Sequence, residues 1–131
     1  MMIDVSCALI ISQNGQVLVA QRSLSMHLPL KWEFPGGKVE PGETAEECLI
    51  REIREELGVE IRVTKKMQPS VYDQGKQVIR LLPFQCKLIA GEIRLTEHAA
   101  FQWLLPAGLN KLDWAEADIP IVQNFMDEMM L

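Results

Sequence analysis

The feature that most constrains this chain is a helix whose two ends and one face can be read directly between Thr44 and Gly58. Thr44 and Glu47 form a Thr-x-x-Glu capping box, a run of good helix formers follows, and Gly58 supplies a left-handed stop. Within the helix Glu52, Glu55 and Glu56 stand at i, i+3 and i+4, so three carboxylates share one face. Like charges at that spacing cost roughly 0.2–0.5 kcal/mol per pair. The trio also lies toward the C-terminal end, where the macrodipole disfavours negative charge. The face borders the apolar stripe Ala45, Cys48, Leu49 and Ile53, which places the carboxylates at the rim of the core. Two readings are open from the triplet alone. It is a solvated acidic face partly neutralised by Arg51 and Arg54, or a ligand set for a hard divalent cation such as Mg²⁺, which takes oxygen ligands and keeps several waters.

The remainder of the chain is ordinary in amount and unusual only in charge. At 131 residues and 48% hydrophobic it is expected to form one domain over residues 1–131, large enough to fold without a structural metal or disulfides. Any metal would then serve chemistry. Cys7, Cys48 and Cys86 are odd in number and far apart, which predicts reduced core thiols and a cytoplasmic setting. A net charge of −5 argues against a nucleic acid polymer as partner but leaves a small anionic substrate open if cations are concentrated locally. The apolar opening Val5–Ile11 is short, follows Asp4 and has no basic leader, so it reads as a buried strand, not a membrane or targeting segment.

Read in order, Val5–Ile11 and Gln16–Arg22 form an antiparallel hairpin around Asn14-Gly15. Ser23–Gly42, punctuated by Pro and Gly, is loop with a short strand at Trp32–Phe34. After the helix, Val59–Val63 and Val78–Ala90 are strands around a polar turn at Asp73–Lys76, with Pro83 forcing a bulge or an edge position. Phe101–Leu105 is a further strand. Ile119–Met130 is an amphipathic helix capped by Asp118, with Pro120 in its first turn. Mixed strands with two main helices give an α/β or α+β domain.

The loop and helix around the triplet read Gly37, five residues, Glu43, seven residues, Arg51-Glu52-Ile53, one residue, Glu55-Glu56, one residue, Gly58-Val59. Every fixed position of the Nudix box is filled, on the loop–helix–loop already expected from capping and periodicity. Together with Ala20-Gln21-Arg22 and Trp32-Glu33-Phe34-Pro35-Gly36-Gly37-Lys38, nearly the whole chain resembles the MutT branch of the Nudix hydrolases. The resemblance implies the Nudix fold, an α/β/α sandwich with a mixed β-sheet. It also implies Mg²⁺-dependent hydrolysis, with Mn²⁺ able to substitute, of a nucleoside triphosphate to monophosphate and pyrophosphate. Attack of water on a phosphorus flanked by anionic oxygens needs charge neutralisation and a deprotonated water, which cations held on Glu52, Glu55 and Glu56 would supply.

By the same resemblance Glu55 and Glu56 are the central metal ligands, Glu52 is ligand or base, and the Gly36 or Gly37 carbonyl completes the shell. Gly36 and Gly37 also read as turn glycines, and Arg22 and Lys38 as either surface residues or triphosphate contacts. Arg51 orients Glu55 or a loop glutamate, and Glu43 fixes the loop. Glu97, in the loop Thr96-Glu97-His98, is the second catalytic carboxylate or a plain loop residue, while His98 is structural. Phe34 walls the base. Asp118 stands where base selectivity is partly set. An ionised Asp only accepts, which favours the N4 amine of cytosine and opposes O6 of guanine, whereas a protonated one readmits purines. Asp118 as a helix cap alone is the other reading. The expected activity is therefore nucleotide-pool sanitation with a preference for cytidine-type or modified pyrimidine nucleotides, by a monomer or homodimer. Alternatives are an 8-oxo-dGTP diphosphatase, a hydrolase of another nucleoside diphosphate-linked compound, and a non-catalytic nucleotide-binding module.

Overall fold

In the computed structural model, which describes residues 1–129, the alternation of apolar side chains along two neighbouring strands explains the layering. On β1 (Met2–Ile11) Cys7 and Leu9 face one way and Ala8 and Ile10 the other; on β2 (Val17–Gln21) Val17 and Val19 oppose Leu18. Both faces are buried, so each needs a helix. Leu49, Ile53 and Leu57 of α1 (Ala45–Leu57) cover Ala8, Ile10 and Leu18, whereas Ile121, Val122 and Phe125 of α2 (Ile119–Met129) cover Cys7, Leu9, Val17 and Val19. The result is the expected α/β/α arrangement around a mixed sheet.

The other strands are β3 (Trp32–Glu33), β4 (Gly36–Lys38), β5 (Glu60–Lys66), β6 (Ser70–Asp73), β7 (Val78–Ala90) and β8 (Ala100–Leu104). All eight belong to one sheet with the path β3-β2-β1-β7-β5, on which β4 also pairs β1, β6 pairs β7 and β8 pairs β2. Among the named strands of the described residues, β1 and β7 are the one parallel pair.

Several local expectations change. The segment 23–42 is not all loop beyond Trp32: Phe34 lies outside β3, and Gly36–Lys38 is itself a strand, paired with Val5–Cys7. One strand was expected opposite Val78–Ala90, and there are two. β6 pairs Val78–Leu81 and β5 pairs Phe84–Ala90. Pro83 accordingly occupies neither an edge nor a bulge of β7; its missing N–H falls where the partner changes from β6 to β5, and its carbonyl accepts from the Met67 N–H at 2.9 Å. Asp118 does not cap α2 as expected. It closes a 3₁₀ turn, Glu116–Asp118, that runs directly into the helix, and its carboxyl turns to the Phe34 N–H at 2.9 Å. Met130 of the expected tail helix lies outside the described residues. No helix is long and apolar enough to cross a membrane among the described residues.

Candidate active site

The capping box sets the start of α1: the Thr44 hydroxyl accepts from Glu47 N–H at 3.1 Å, and the Glu47 carboxylate accepts from Thr44 N–H at 2.8 Å. Ser6 ties the same end to β1 through the Ala45 carbonyl at 2.7 Å. At the other end Gly58, at φ 70°, donates to Arg54 O, and the chain returns along the remaining open carbonyls. Arg94 N–H bonds Leu57 O at 2.9 Å and Thr96 N–H bonds Glu56 O at 3.2 Å. Helix-end chemistry thus brings Glu97 and His98 beside the carboxylate face.

The three glutamates of that face have different surroundings. Glu56 is buried, and its Oε1 has no hydrogen-bond partner. Burial, then the charges of Glu52, Glu33 and Glu97, push its carboxyl up to about 9, against a lowering by the Gly36 N–H. Glu52 is also raised, chiefly by burial, with Glu55 and Glu97 adding to it and Arg51 opposing. Glu55 is 58% exposed and lies 3.3 Å from Arg51. Arg51 simultaneously grips Glu43 at 2.7 Å, holding that carboxyl down at about 2, and Glu43 accepts from Glu40 N–H in the loop.

The glycines ahead of the helix face different obstacles, Gly36 a fixed backbone and Gly37 the movable end of a side chain. A Cβ on Gly36 would meet Ser6 O at 1.9 Å, and one on Gly37 would meet the Glu52 carboxyl carbon at 2.3 Å. The Gly37 carbonyl accepts from the Cys48 thiol at 3.4 Å. As the side chains stand, no three His, Cys, Asp or Glu residues among the described residues converge on one point. An oxygen-only donor set with a buried, orphaned carboxylate oxygen nevertheless suits a hard divalent cation.

From Glu56 a cleft of about 650 Å³ runs past Gly36, Gly37 and Glu97 to Phe34 and Asp118. Arg22 lines it, with its guanidinium 2.6 Å from Glu33 and donating also to the His27 carbonyl. Lys38 is exposed and outside the lining. Phe34 packs on Trp114 with ring centroids 4.9 Å apart. Asp118 is pushed up to about 8 by burial and by the charge of Glu33, against lowering by the Phe34 N–H and by Arg22.

The NUDIX domain family profile matches residues 2–125. The chain belongs to the Nudix family. This Nudix protein is 37% identical over 125 residues to the CTP pyrophosphohydrolase of Escherichia coli (strain K12), covering 95% of this chain and 92% of the relative. It is 28% identical over 120 residues to the 8-oxo-dGTP diphosphatase of the same strain, covering 92% and 93%. The solution NMR structure of the DNA mismatch repair protein MutT, a Nudix hydrolase from methicillin-resistant Staphylococcus aureus 252, superposes with a TM-score of 0.79 at 44% identity, covering 98% of each chain. The protein is thus a MutT-like Nudix hydrolase, of a family that acts on nucleotides and generally uses divalent metals.

One residue of this Nudix cleft was missed in the sequence. Glu33 bonds Arg22 at 2.6 Å and the wholly buried His98 ring at 2.8 Å, and its charge reaches both Glu56 and Asp118. The available signal was a glutamate between two aromatics, Trp32 and Phe34. A hairpin pairing Ala20 with Glu33 sets Arg22 and Glu33 diagonally on one face.

Proposed function

We propose that this chain is a Mg²⁺-dependent pyrophosphohydrolase that converts (d)NTPs to (d)NMPs and pyrophosphate, with a preference for cytidine-type or modified pyrimidine nucleotides. The observation that carries this reading is the orphaned, buried Glu56 Oε1 beside Glu52 and Glu97, at one end of a cleft whose other end is Phe34 and Asp118. Residues 1–131 would act as one domain in the cytoplasm, as monomer or homodimer, on free nucleotides and not on a nucleic acid polymer or a membrane. The three buried free thiols and the net charge of −5 support this setting.

Glu52, Glu55 and Glu56, with the Gly36 or Gly37 carbonyl, would hold the metal. Bound there, Mg²⁺ or Mn²⁺ would neutralise phosphate charge and acidify water. Glu52 or Glu97 would take the proton of the attacking water. Arg51 keeps Glu43 and the entry loop fixed and restrains Glu55. Arg22, which lines the cleft and pairs with Glu33, would hold the phosphates; Lys38 would reach them only from outside the cleft wall. Phe34 walls the base, and Asp118 accepts from the cytosine N4 amine when ionised. A second reading, 8-oxo-dGTP hydrolysis, is favoured by the raised Asp118, which below about 8 offers an O–H donor toward O6.

The test is hydrolysis of CTP, dCTP, 5-substituted dCTP and 8-oxo-dGTP in ¹⁸O-water, with Mg²⁺ or with EDTA. Metal-dependent release of monophosphate and ¹⁸O-labelled pyrophosphate, fastest with the cytidine compounds at pH 9, where Asp118 is ionised, is expected. Label in the monophosphate moves attack to the α-phosphorus, diphosphate plus phosphate overturns the reaction class, and 8-oxo-dGTP in first place selects the second reading.

A further inference from the structure

A second cavity, of about 710 Å³, shares no residue with the catalytic cleft. Its size is that of a small-molecule site. It lies beyond the other end of β1: Val5, Ser6 and Cys7 line the first cleft, whereas Ile11, Ser12 and Gln13 line the second. Cys7 and Ile11 are four residues apart on one strand, roughly 13 Å at the rise of a β-strand.

The two cavities differ in charge. Glu33, Glu56, Glu97 and Asp118 line the first; the second has no acidic residue and two cations, Arg62 and Lys87. Those cations are direct register partners on the antiparallel strands β5 and β7, an arrangement that costs stability unless something neutralises it. Neither forms an ion pair among the described residues, although their neighbours do: Lys65 pairs with Glu128, and Arg54 with Glu60. In a chain of net charge −5 this concentration of unpaired positive charge is local and specific. Trp103 of β8 contributes a partly buried indole to the same cavity, flanked by the half-exposed Ile89, while Ser12 and Gln13 add polar groups.

From this juxtaposition we infer that the cavity is a second ligand site, taking a mononucleotide whose phosphate is held by Arg62 and Lys87 and whose base packs against Trp103. Two cations match a phosphate dianion, and an aromatic face accepts any nucleobase. The site carries no carboxylates for metal-assisted chemistry, so it binds and does not hydrolyse. It is independent of which base the catalytic cleft prefers.

The test is a titration of the ¹⁵N-labelled full chain with cytidine monophosphate in EDTA, followed by NMR, with inorganic phosphate and cytidine as separate probes. Shifts are expected at Ser12, Gln13, Arg62, Lys87 and the Trp103 indole, in addition to any around Phe34 and Asp118. Arg62→Ala/Lys87→Ala should weaken the first set on the order of tenfold or more while leaving kcat and the second set unchanged. Trp103→Phe should retain most of the affinity, and Trp103→Ala should lose it. Shifts confined to the catalytic cleft would overturn the proposal, as would a response indifferent to the double substitution. Equal shifts from inorganic phosphate with the indole unmoved would overturn it too, since the site would then bind anions and not nucleotides.

Discussion

Replacing Asp118 by Asn isolates the consequence of burying a carboxyl in the wall of the cleft. The group is raised from its ordinary 3.8 to about 8, first because burial penalises its charged form and then because Glu33 faces it. An acid that holds its proton more tightly when folded destabilises the native state as pH rises, from the unfolded value near 4 until the folded value near 8 is passed. At about 1.4 kcal/mol per pH unit the full window is worth on the order of 5 kcal/mol; relaxation and water entry reduce this to roughly 2–5 kcal/mol. Asn copies the neutral carboxyl in shape, and its carbonyl can still accept from the Phe34 N–H. Asp118→Asn should therefore match the wild type at pH 4.5 and exceed it by about 2–5 kcal/mol at pH 8.5, most of the gain appearing by pH 7. Urea denaturation of both proteins in EDTA at a series of pH values measures this directly. A stability difference that is flat with pH would refute the buried-proton argument. Flat is also what a purely capping Asp118 would give, because Asn and Asp cap a helix about equally well.

The same titration should appear in base choice: raising the pH from 6.5 to 9 converts Asp118 from donor to acceptor, so the ratio of kcat/KM for CTP over 8-oxo-dGTP should rise on the order of tenfold, and Asp118→Asn should abolish the trend. Glu33→Gln, by removing the facing charge, should move the midpoint of that trend to lower pH, as read from the same profiles. Glu55→Gln and Glu56→Gln should each reduce Mg²⁺-dependent turnover by at least about a hundredfold with the fold retained. Relative to the wild type, Glu56→Gln should gain thermal stability as pH rises from about 5 toward 9, since Glu56 is buried and raised to about 9. Gly37→Ala should displace the Glu52 carboxylate and cost turnover while a folded circular dichroism spectrum persists; Gly36→Ala, which drives a Cβ into the Ser6 backbone, should fail to fold or melt far earlier.

What was legible in the sequence was whatever rests on local rules. The α1 helix needs only its capping box, its periodicity and Gly58, and each of these is a property of neighbouring residues. The triplet of glutamates was visible for the same reason, since helical spacing alone puts the three on one face. Glu97 and Glu33 depend on longer connections. Glu97 is delivered by Thr96 satisfying the end of α1 forty residues earlier in the chain, and Glu33 by a hairpin register that also fixes Arg22. The second strand opposite β7 escaped notice because Ser70–Asp73 leaves Val71 exposed and buries only Ser70 well, so its pattern is not that of a core strand. Of the two readings of Asp118, the helix cap fails for a physical reason. A carboxylate before a helix is an economical cap when water surrounds it, but Asp118 is the buried last residue of a 3₁₀ turn, and the backbone N–H of Phe34, between β3 and β4, becomes its partner. Burial also bears on how the cleft can hold so many acids: it raises Glu56 to about 9 and Asp118 to about 8, which favours their neutral forms near neutrality. A divalent cation held by Glu56 would favour its ionised form, and Asp118, bonded to the Phe34 N–H, lies outside that ligand set. The two ends of one cleft would then answer to different ligands, one to metal and the other to the hydrogen-bonding edge of the base.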